Sequence, residues 1–332
     1  ESVRHALTEI YDGGFGKYGP PEGIPEFRDS IATFVNNHFD CQINSKNVMV
    51  VPGARFGVFL TFSTLLNYGD EVIIIEPAWP AYRQCAINTG VKIRSIKTRL
   101  EDRWEPSLED IKSSINNNTK MIVLNYPNNP TGKILSKKLQ DSIFEIAKNN
   151  NLFILSDEIY SNYSNEKWKS MLSYNYEKSI ITQSFSKSHS MTGYRIGYVI
   201  SSKNIIEKMA KFQSLCLTNV SEPIQFLAMK SINDDVTQNV ENIRERLGIL
   251  SELAQKMNLE FEVPDGAMYI FARMKSKVNT SELAEKLLEH GLAIAPGNAF
   301  GDYKHFFRIS ACVDKEKIIK GMDILKATTN DM

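Results

Sequence analysis

Between Asn47 and Ser201 short apolar runs alternate with amphipathic stretches, and this alternation limits the folds open to the chain more than any other feature. The runs are "VMVV" at 48–51, "EVIIIEP" at 71–77, "VKIRSIK" at 91–97, "KMIVLNYP" at 120–127, "LFILSDEIY" at 152–160, "SIITQSF" at 179–185 and "RIGYVIS" at 195–201. They are short, β-branched and continuously apolar, the pattern of strands buried on both faces. "ARFGVFLTFSTLLN", "SLEDIKSSI" and "SKKLQDSIFEIAKNN" lie between them and read as helices. Strands spaced by helices predict an α/β fold, with a mostly parallel, seven-stranded-type sheet covered by helices on both faces.

Beyond residue 200 the texture changes. Helical stretches dominate from Asn204 to Met257. Then come strand-like "LEFEV" and "AMYIFARM", a helix "TSELAEKLLEH", short strands around "LAIAPG" and "HFFRISA", and a last helix. A chain of 332 residues exceeds what one core serves well. The expected division is a large domain over residues 1–235 and a smaller α+β domain over 236–332. No internal repeat, low-complexity tract or Pro/Gly/Ser linker separates them.

Charge and thiol usage exclude several classes. Acidic and basic residues balance at 39 each, so the basic excess of a nucleic-acid binder is missing. No apolar run approaches the length of a bilayer span. The first residues lack the basic-then-apolar pattern of a signal peptide. Cys41, Cys85, Cys216 and Cys312 form no C-x-x-C pair, and the 5 histidines form no cluster. Free thiols, a cytoplasmic location and no metal site are the expectations.

Ligands of open α/β sheets sit beyond the carboxyl ends of the strands. Here those positions read "PGAR", "EPAWPAY", "NYPNNPTG", "SDEIY" and "SFSK". The last introduces Lys187 among small hydroxyl residues, with Arg195 shortly beyond. A surface lysine is the ordinary reading. A lysine at that edge beside another cation instead suits an amine nucleophile. Ser184 and Lys187 also match S-x-x-K of the penicillin-binding proteins. The S-D-N and K-T-G elements that chemistry needs have no counterpart here.

Taken in order, "KYGPPEGIPEFRDSI", "EPAWPAY", "NYPNNPTG", "SDEIY" and "SFSKSHSMTGYRIGY" resemble the fold-type I pyridoxal-phosphate aminotransferases of class I/II. The resemblance runs from Tyr18 to Arg308. It implies that Lys187 holds the cofactor aldehyde as a Schiff base and then carries the proton between substrate and cofactor. Such a lysine needs a pKa depressed by nearby positive charge below the ordinary value of about 10.4. Asp157 would pair with the pyridinium nitrogen, and Tyr160 and Asn129 would donate to the phenolic oxygen. Ser184, Ser186 and Arg195, with the backbone of Ala54 and Arg55, would hold the phosphate, the last two at a helix N-terminus. Trp79 would stack on the ring, and Arg308 would grip the substrate α-carboxylate alongside Asn129 and Trp79. Tyr18 would reach the phosphate of a neighbouring subunit, which makes a homodimer with shared sites.

The resemblance has departures. Relatives carry a Gly-rich substrate loop before the helix in which this chain starts, so part of the substrate pocket is expected upstream of Glu1. His189 stands where relatives carry smaller or aromatic residues, and reads as a solvent-facing loop histidine. Amino transfer from an L-amino acid to a 2-oxo acid is the leading expectation. Carbon–sulfur β-elimination on the same fold and a non-catalytic cofactor-binding regulator are the alternatives. No second cation for a dicarboxylic substrate is recognisable, so aspartate, aromatic and branched donors all stay open.

Overall fold

The structure, a computed structural model, describes residues 2–12 and 16–330. Its main sheet comprises β1 (Val48–Val51), β2 (Glu71–Glu76), β3 (Lys92–Lys97), β4 (Thr119–Asn125), β5 (Phe153–Asp157), β6 (Ser179–Ser184) and β7 (Gly197–Ile200). Their order across the sheet is β1-β7-β6-β5-β4-β2-β3. β2 through β6 pair in parallel, whereas β7 runs antiparallel to both β6 and β1. Six strands therefore end on one edge of the sheet, and the reversed β7 begins there. The α/β expectation from the apolar runs is met.

Side-chain alternation explains why those runs are continuous. Val48, Val50, Ile73, Ile75, Ile122, Leu124, Ile154 and Ile181 join one core under helices Pro25–His38, Lys137–Asn149 and Glu222–Ser231. Their neighbours Met49, Val51, Val72, Ile74, Met121, Val123, Leu155 and Ile180 join a second core under helices Ala54–Leu65, Pro80–Thr89 and Lys203–Leu217. Each such side chain contributes roughly 1.5–3 kcal/mol on leaving water, and both faces require it. β3 is the exception. It is an edge strand with Lys92, Arg94 and Lys97 exposed along it.

Local signals set the helix ends. The Ser136 hydroxyl accepts from the Leu139 N–H and opens helix Lys137–Asn149. Helix Pro80–Thr89 starts on proline and stops at Gly90, whose φ of 70° suits glycine.

A three-stranded antiparallel sheet forms from β8 (Tyr269–Arg273), β9 (Ala295–Pro296) and β10 (Phe306–Ser310), in the order β8-β10-β9. Helices Thr237–Lys256, Thr280–Glu289 and Lys315–Asn330 cover it with a separate apolar core. The strand expected at "LEFEV" does not form. Glu260 makes a single antiparallel bridge to Arg273. Beyond it the backbone is drawn to the loop after β4, where Glu262 approaches Lys133, and Asp265 pairs with Lys133 at 2.6 Å.

Candidate active site

The loops at the shared edge of the main sheet close around a cavity of about 550 Å³. Its lining includes Ala54, Arg55, Trp79, Asn129, Asp157, Tyr160, Ser184, Ser186, Lys187, Arg195 and Arg308, eleven of the twelve residues singled out from the sequence. Tyr18 is the twelfth. It lies outside this cavity and is 88% exposed. A larger cavity, about 640 Å³, sits at the opposite edge between Asn36, Ser179 and Lys203 and holds none of these side chains. Among the described residues no group of three or more His, Cys, Asp or Glu side chains could hold a metal ion. No helix among them is long and apolar enough to cross a membrane.

Asp157 ends β5 and is 3% exposed. Its Oδ2 accepts a 2.6 Å hydrogen bond from the Tyr82 hydroxyl, while its buried Oδ1 receives none. Thr182 Oγ1 is close enough to be felt by the carboxylate but makes no hydrogen bond of normal geometry. Burial pushes the Asp157 carboxyl up to about 6, and the Tyr82 O–H pulls against that. Lys187 follows β6 and is half-buried. Burial lowers its pKa first. Cys312 acts against this shift, while the guanidinium groups of Arg308, Arg195 and Arg55 reinforce it. Lys187 thus has a route to a neutral amine.

The side of the cavity around Gly53 is built on close backbone approaches. Gly53, at φ 86°, caps helix Ala54–Leu65, whose first N–H groups have no intrahelical acceptor. Arg195 has a left-handed backbone (φ 53°) and donates to the Thr192 carbonyl at 2.9 Å and the Pro52 carbonyl at 3.3 Å. Its guanidinium packs against Gly53, where a Cβ would collide with Nη2. Gly197 opens β7 equally tightly, since a Cβ there would stand 2.6 Å from the Gln183 carbonyl and 3.0 Å from the Ala54 nitrogen. The Ser184 hydroxyl donates to Ile196 O at 3.2 Å and accepts from the Ser186 N–H at 3.0 Å. Gly53→Ala is expected to displace Arg195 and strain the cap. Cofactor affinity should fall at least about 10-fold and stability by about 1–3 kcal/mol, read by dialysis equilibrium and thermal melting.

Opposite stand groups from both sheets. Arg308 of β10 donates from Nη1 to Asn129 Oδ1 at 2.7 Å, and its buried Nε has no acceptor. Its guanidinium packs over Tyr269 at 4.2 Å and Phe300 at 5.1 Å. The Asn129 N–H is held by Asn125 Oδ1 at 3.0 Å. The Tyr160 and Tyr269 hydroxyls share a 2.8 Å hydrogen bond, and burial lifts Tyr160 well above the usual phenol range. Trp79 meets Tyr82 edge-on at 5.4 Å, and the Arg55 guanidinium lies 4.9 Å over the Trp79 ring.

Tyr82, Asn125, Ile159, Thr192 and Tyr269 also line the cavity, though the sequence reading did not select them. Tyr82 carried one signal, its place one turn beyond Trp79, the residue that precedes helix Pro80–Thr89. Tyr269 carried none, since it meets Tyr160 across 109 residues. His189 is not solvent-facing. Its ring tilts against Phe185 at 5.0 Å, Nδ1 meets the Ser188 hydroxyl at 2.9 Å, and Nε2 is buried without a partner. Burial lowers its pKa.

Pyridoxal phosphate fits this set of groups. The donor-free Oδ1 of Asp157 suits a cationic ring N–H, and the cradle at Gly53 and Arg195 suits a phosphate. A family model described as "Aminotransferase class I and II" matches residues 1–325. Aspartate aminotransferase of Pyrococcus horikoshii is 34% identical over 334 residues, covering 97% of this chain and 85% of that protein. A crystal structure of aspartate aminotransferase from Thermotoga maritima superposes with a TM-score of 0.94 at 31% identity, covering 99% of this chain and 88% of that one. An aromatic aminotransferase structure from Pyrococcus horikoshii gives 0.94 at 30% identity, covering 99% and 92%.

Proposed function

The chain belongs to the class I and II aminotransferases, and from that premise we propose that its preferred amino donor is a dicarboxylic L-amino acid, aspartate foremost. It is a pyridoxal-phosphate-dependent aminotransferase, and carbon–sulfur elimination is not favoured by relatives named for amino transfer. The observation behind the donor class is a set of three guanidinium groups, Arg55, Arg195 and Arg308, lining one cavity with no carboxylate paired to any of them among the described residues. Three guanidinium groups facing one cavity make a positive field that attracts anions. The cofactor phosphate answers to Arg195 and the substrate α-carboxylate to Arg308. A third anion, the distal carboxylate of the donor, answers to Arg55.

Bound here, pyridoxal phosphate supplies an aldehyde that combines with amines and a ring that accepts an electron pair from carbon. The protein's own groups would do the rest. The Lys187 nitrogen would anchor the aldehyde carbon and, when free, would move a proton at the substrate α-carbon. Asp157 holds the ring nitrogen protonated through Oδ1. Tyr160 and the Asn129 amide donate to the phenolic oxygen, the amide by the face that Arg308 leaves free. Trp79 stacks on the ring. Ser184, Ser186, Arg195 and the first N–H groups of helix Ala54–Leu65 bind the phosphate. Arg308 can offer a carboxylate two parallel donors, which fixes the donor's orientation.

The same proposal includes the assembly. Arg55, Thr192 and Arg195 are exposed in the single chain, as is Tyr18. A homodimer in which each Tyr18 reaches the other subunit's phosphate would cover that open side. A division at residues 235/236 is supported by the separate core drawn from residues 247–325. A cytoplasmic location fits the free thiols.

A panel of donors with 2-oxoglutarate tests the reading. Aspartate is expected to exceed tyrosine and leucine in kcat/KM by at least about 10-fold. Arg55→Met should remove about 10- to 100-fold from aspartate alone. Equal loss on every donor would reassign Arg55 to the cofactor.

A further inference from the structure

Asp157 and Tyr82 form a buried pair whose second half the reaction described above does not use. Tyr82 is 1% exposed and sits in helix Pro80–Thr89, with its hydroxyl 2.6 Å from Asp157 Oδ2. The helix is anchored by its proline start and by the Tyr82 N–H bonding to Trp79 O at 3.2 Å. The phenol ring therefore arrives from a different layer than β5, and packs edge-on against Trp79.

We propose that Tyr82 is a positioning residue for the cofactor ring nitrogen, acting through Asp157: by occupying Oδ2 it leaves Oδ1 as the one acceptor and weakens the carboxylate as a base. The inference rests on the reading of Asp157 as the partner of that nitrogen. A hydrogen bond to an anion in a site of low dielectric constant is strong, because water does not compete. Two effects follow. The carboxylate cannot rotate without breaking the Tyr82 contact, so Oδ1 keeps one direction. The proton shared between Oδ1 and the ring nitrogen also stays on nitrogen, because the anion is already partly satisfied at its other oxygen. Only a protonated ring draws electrons strongly from the substrate carbon.

The phenols and the thiol around the pair keep their protons at neutral pH. Tyr82 itself is raised well above the phenol range by burial and by the Asp157 charge. Burial raises Tyr160 likewise, and pushes Cys85, in the same helix as Tyr82, up to about 11. Lys187 lines the same cavity, and burial lowers its pKa rather than raising it.

The test uses Tyr82→Phe holoenzyme loaded with pyridoxal phosphate carrying 15N in the ring. The wild-type resonance should show a protonated nitrogen. In Tyr82→Phe it should move toward the unprotonated position, and kcat should fall about 10- to 100-fold with the donor KM within about threefold. A purely structural role for Tyr82 would lower the melting temperature and leave the 15N shift in place, and that result overturns the proposal. Apoprotein labelled with carboxyl-13C aspartate gives a readout without cofactor or turnover. There the Asp157 titration midpoint should rise in Tyr82→Phe and fall when residue 82 is 3-fluorotyrosine, a stronger donor of unchanged packing. An unmoved midpoint in both variants also overturns it, including where the Phe variant takes up no cofactor. Asp157→Asn separates the two levels. If that variant keeps the protonated 15N signal and full turnover, the role given to Asp157 fails. If it loses both while Tyr82→Phe matches wild type, Tyr82 alone is misassigned.

Discussion

Lys187→Ala is expected to lower amino transfer by at least about 10⁴-fold, because in the role proposed for it one nitrogen would both hold the cofactor covalently and move the proton. No other lysine can replace it, since Lys187 is the one lysine lining the cavity among the described residues. The variant should still fold and bind pyridoxal phosphate, because Gly53, Arg195 and Asp157 are untouched. Removing a half-buried amine whose pKa is lowered mainly by burial also removes a cost to folding at neutral pH. The check has two parts. Single-turnover release of 2-oxo acid from aspartate should be absent in the variant. Borohydride reduction should fix the cofactor to the peptide containing Lys187 in wild type and to no peptide in Lys187→Ala. A tag elsewhere would refute the assignment.

Asp157→Asn is expected to cost about 10²–10⁴ in kcat, since a neutral amide cannot hold the ring nitrogen protonated. It should also make the apoprotein more stable, which an ordinary destabilising substitution would not. The Asp157 carboxyl is pushed up to about 6 in the fold from 3.8 in the open chain. The folded state therefore binds the proton more tightly. Its stability falls as pH rises from about 4 to 6, and the penalty is complete above that window. A shift of about two units corresponds to about 3 kcal/mol at most. Asparagine can accept the Tyr82 hydrogen bond without carrying the charge. Apoprotein Asp157→Asn should thus melt above wild type at pH 7–8, by an amount that vanishes near pH 4. With the cofactor bound the gain should disappear, because the cationic ring balances Asp157 in the wild type. A pH-independent difference would mean that Asp157 is not a buried anion.

Much of the architecture was legible in the sequence because the sheet is buried on both faces. Ile73 and Ile74 feed different cores, so "EVIIIE" could not alternate with polar residues. The gathering of the candidate residues in one cavity was legible for a related reason, since the loops that carry most of them directly follow those runs. What stayed hidden depends on contacts between distant residues. Tyr82 reaches Asp157 across 75 positions, and Arg308 reaches Asn129 across 179. "LEFEV" had the composition of a strand, but strand formation needs a partner along its length, and after Glu260 the segment turns to Lys133 instead. His189 was misjudged because polarity alone suggested solvent, whereas Phe185 draws the ring inward.

The exposed cations of β3 also bear on how copies of this chain can meet. An incoming strand that extended the sheet at that edge would bring its own backbone beside Lys92, Arg94 and Lys97, and would compete with the Arg94–Glu71 and Lys97–Asp302 pairs. Lateral polymerisation through the ribbon's open margin at β3 is thereby discouraged, and association is left to helical and loop surfaces.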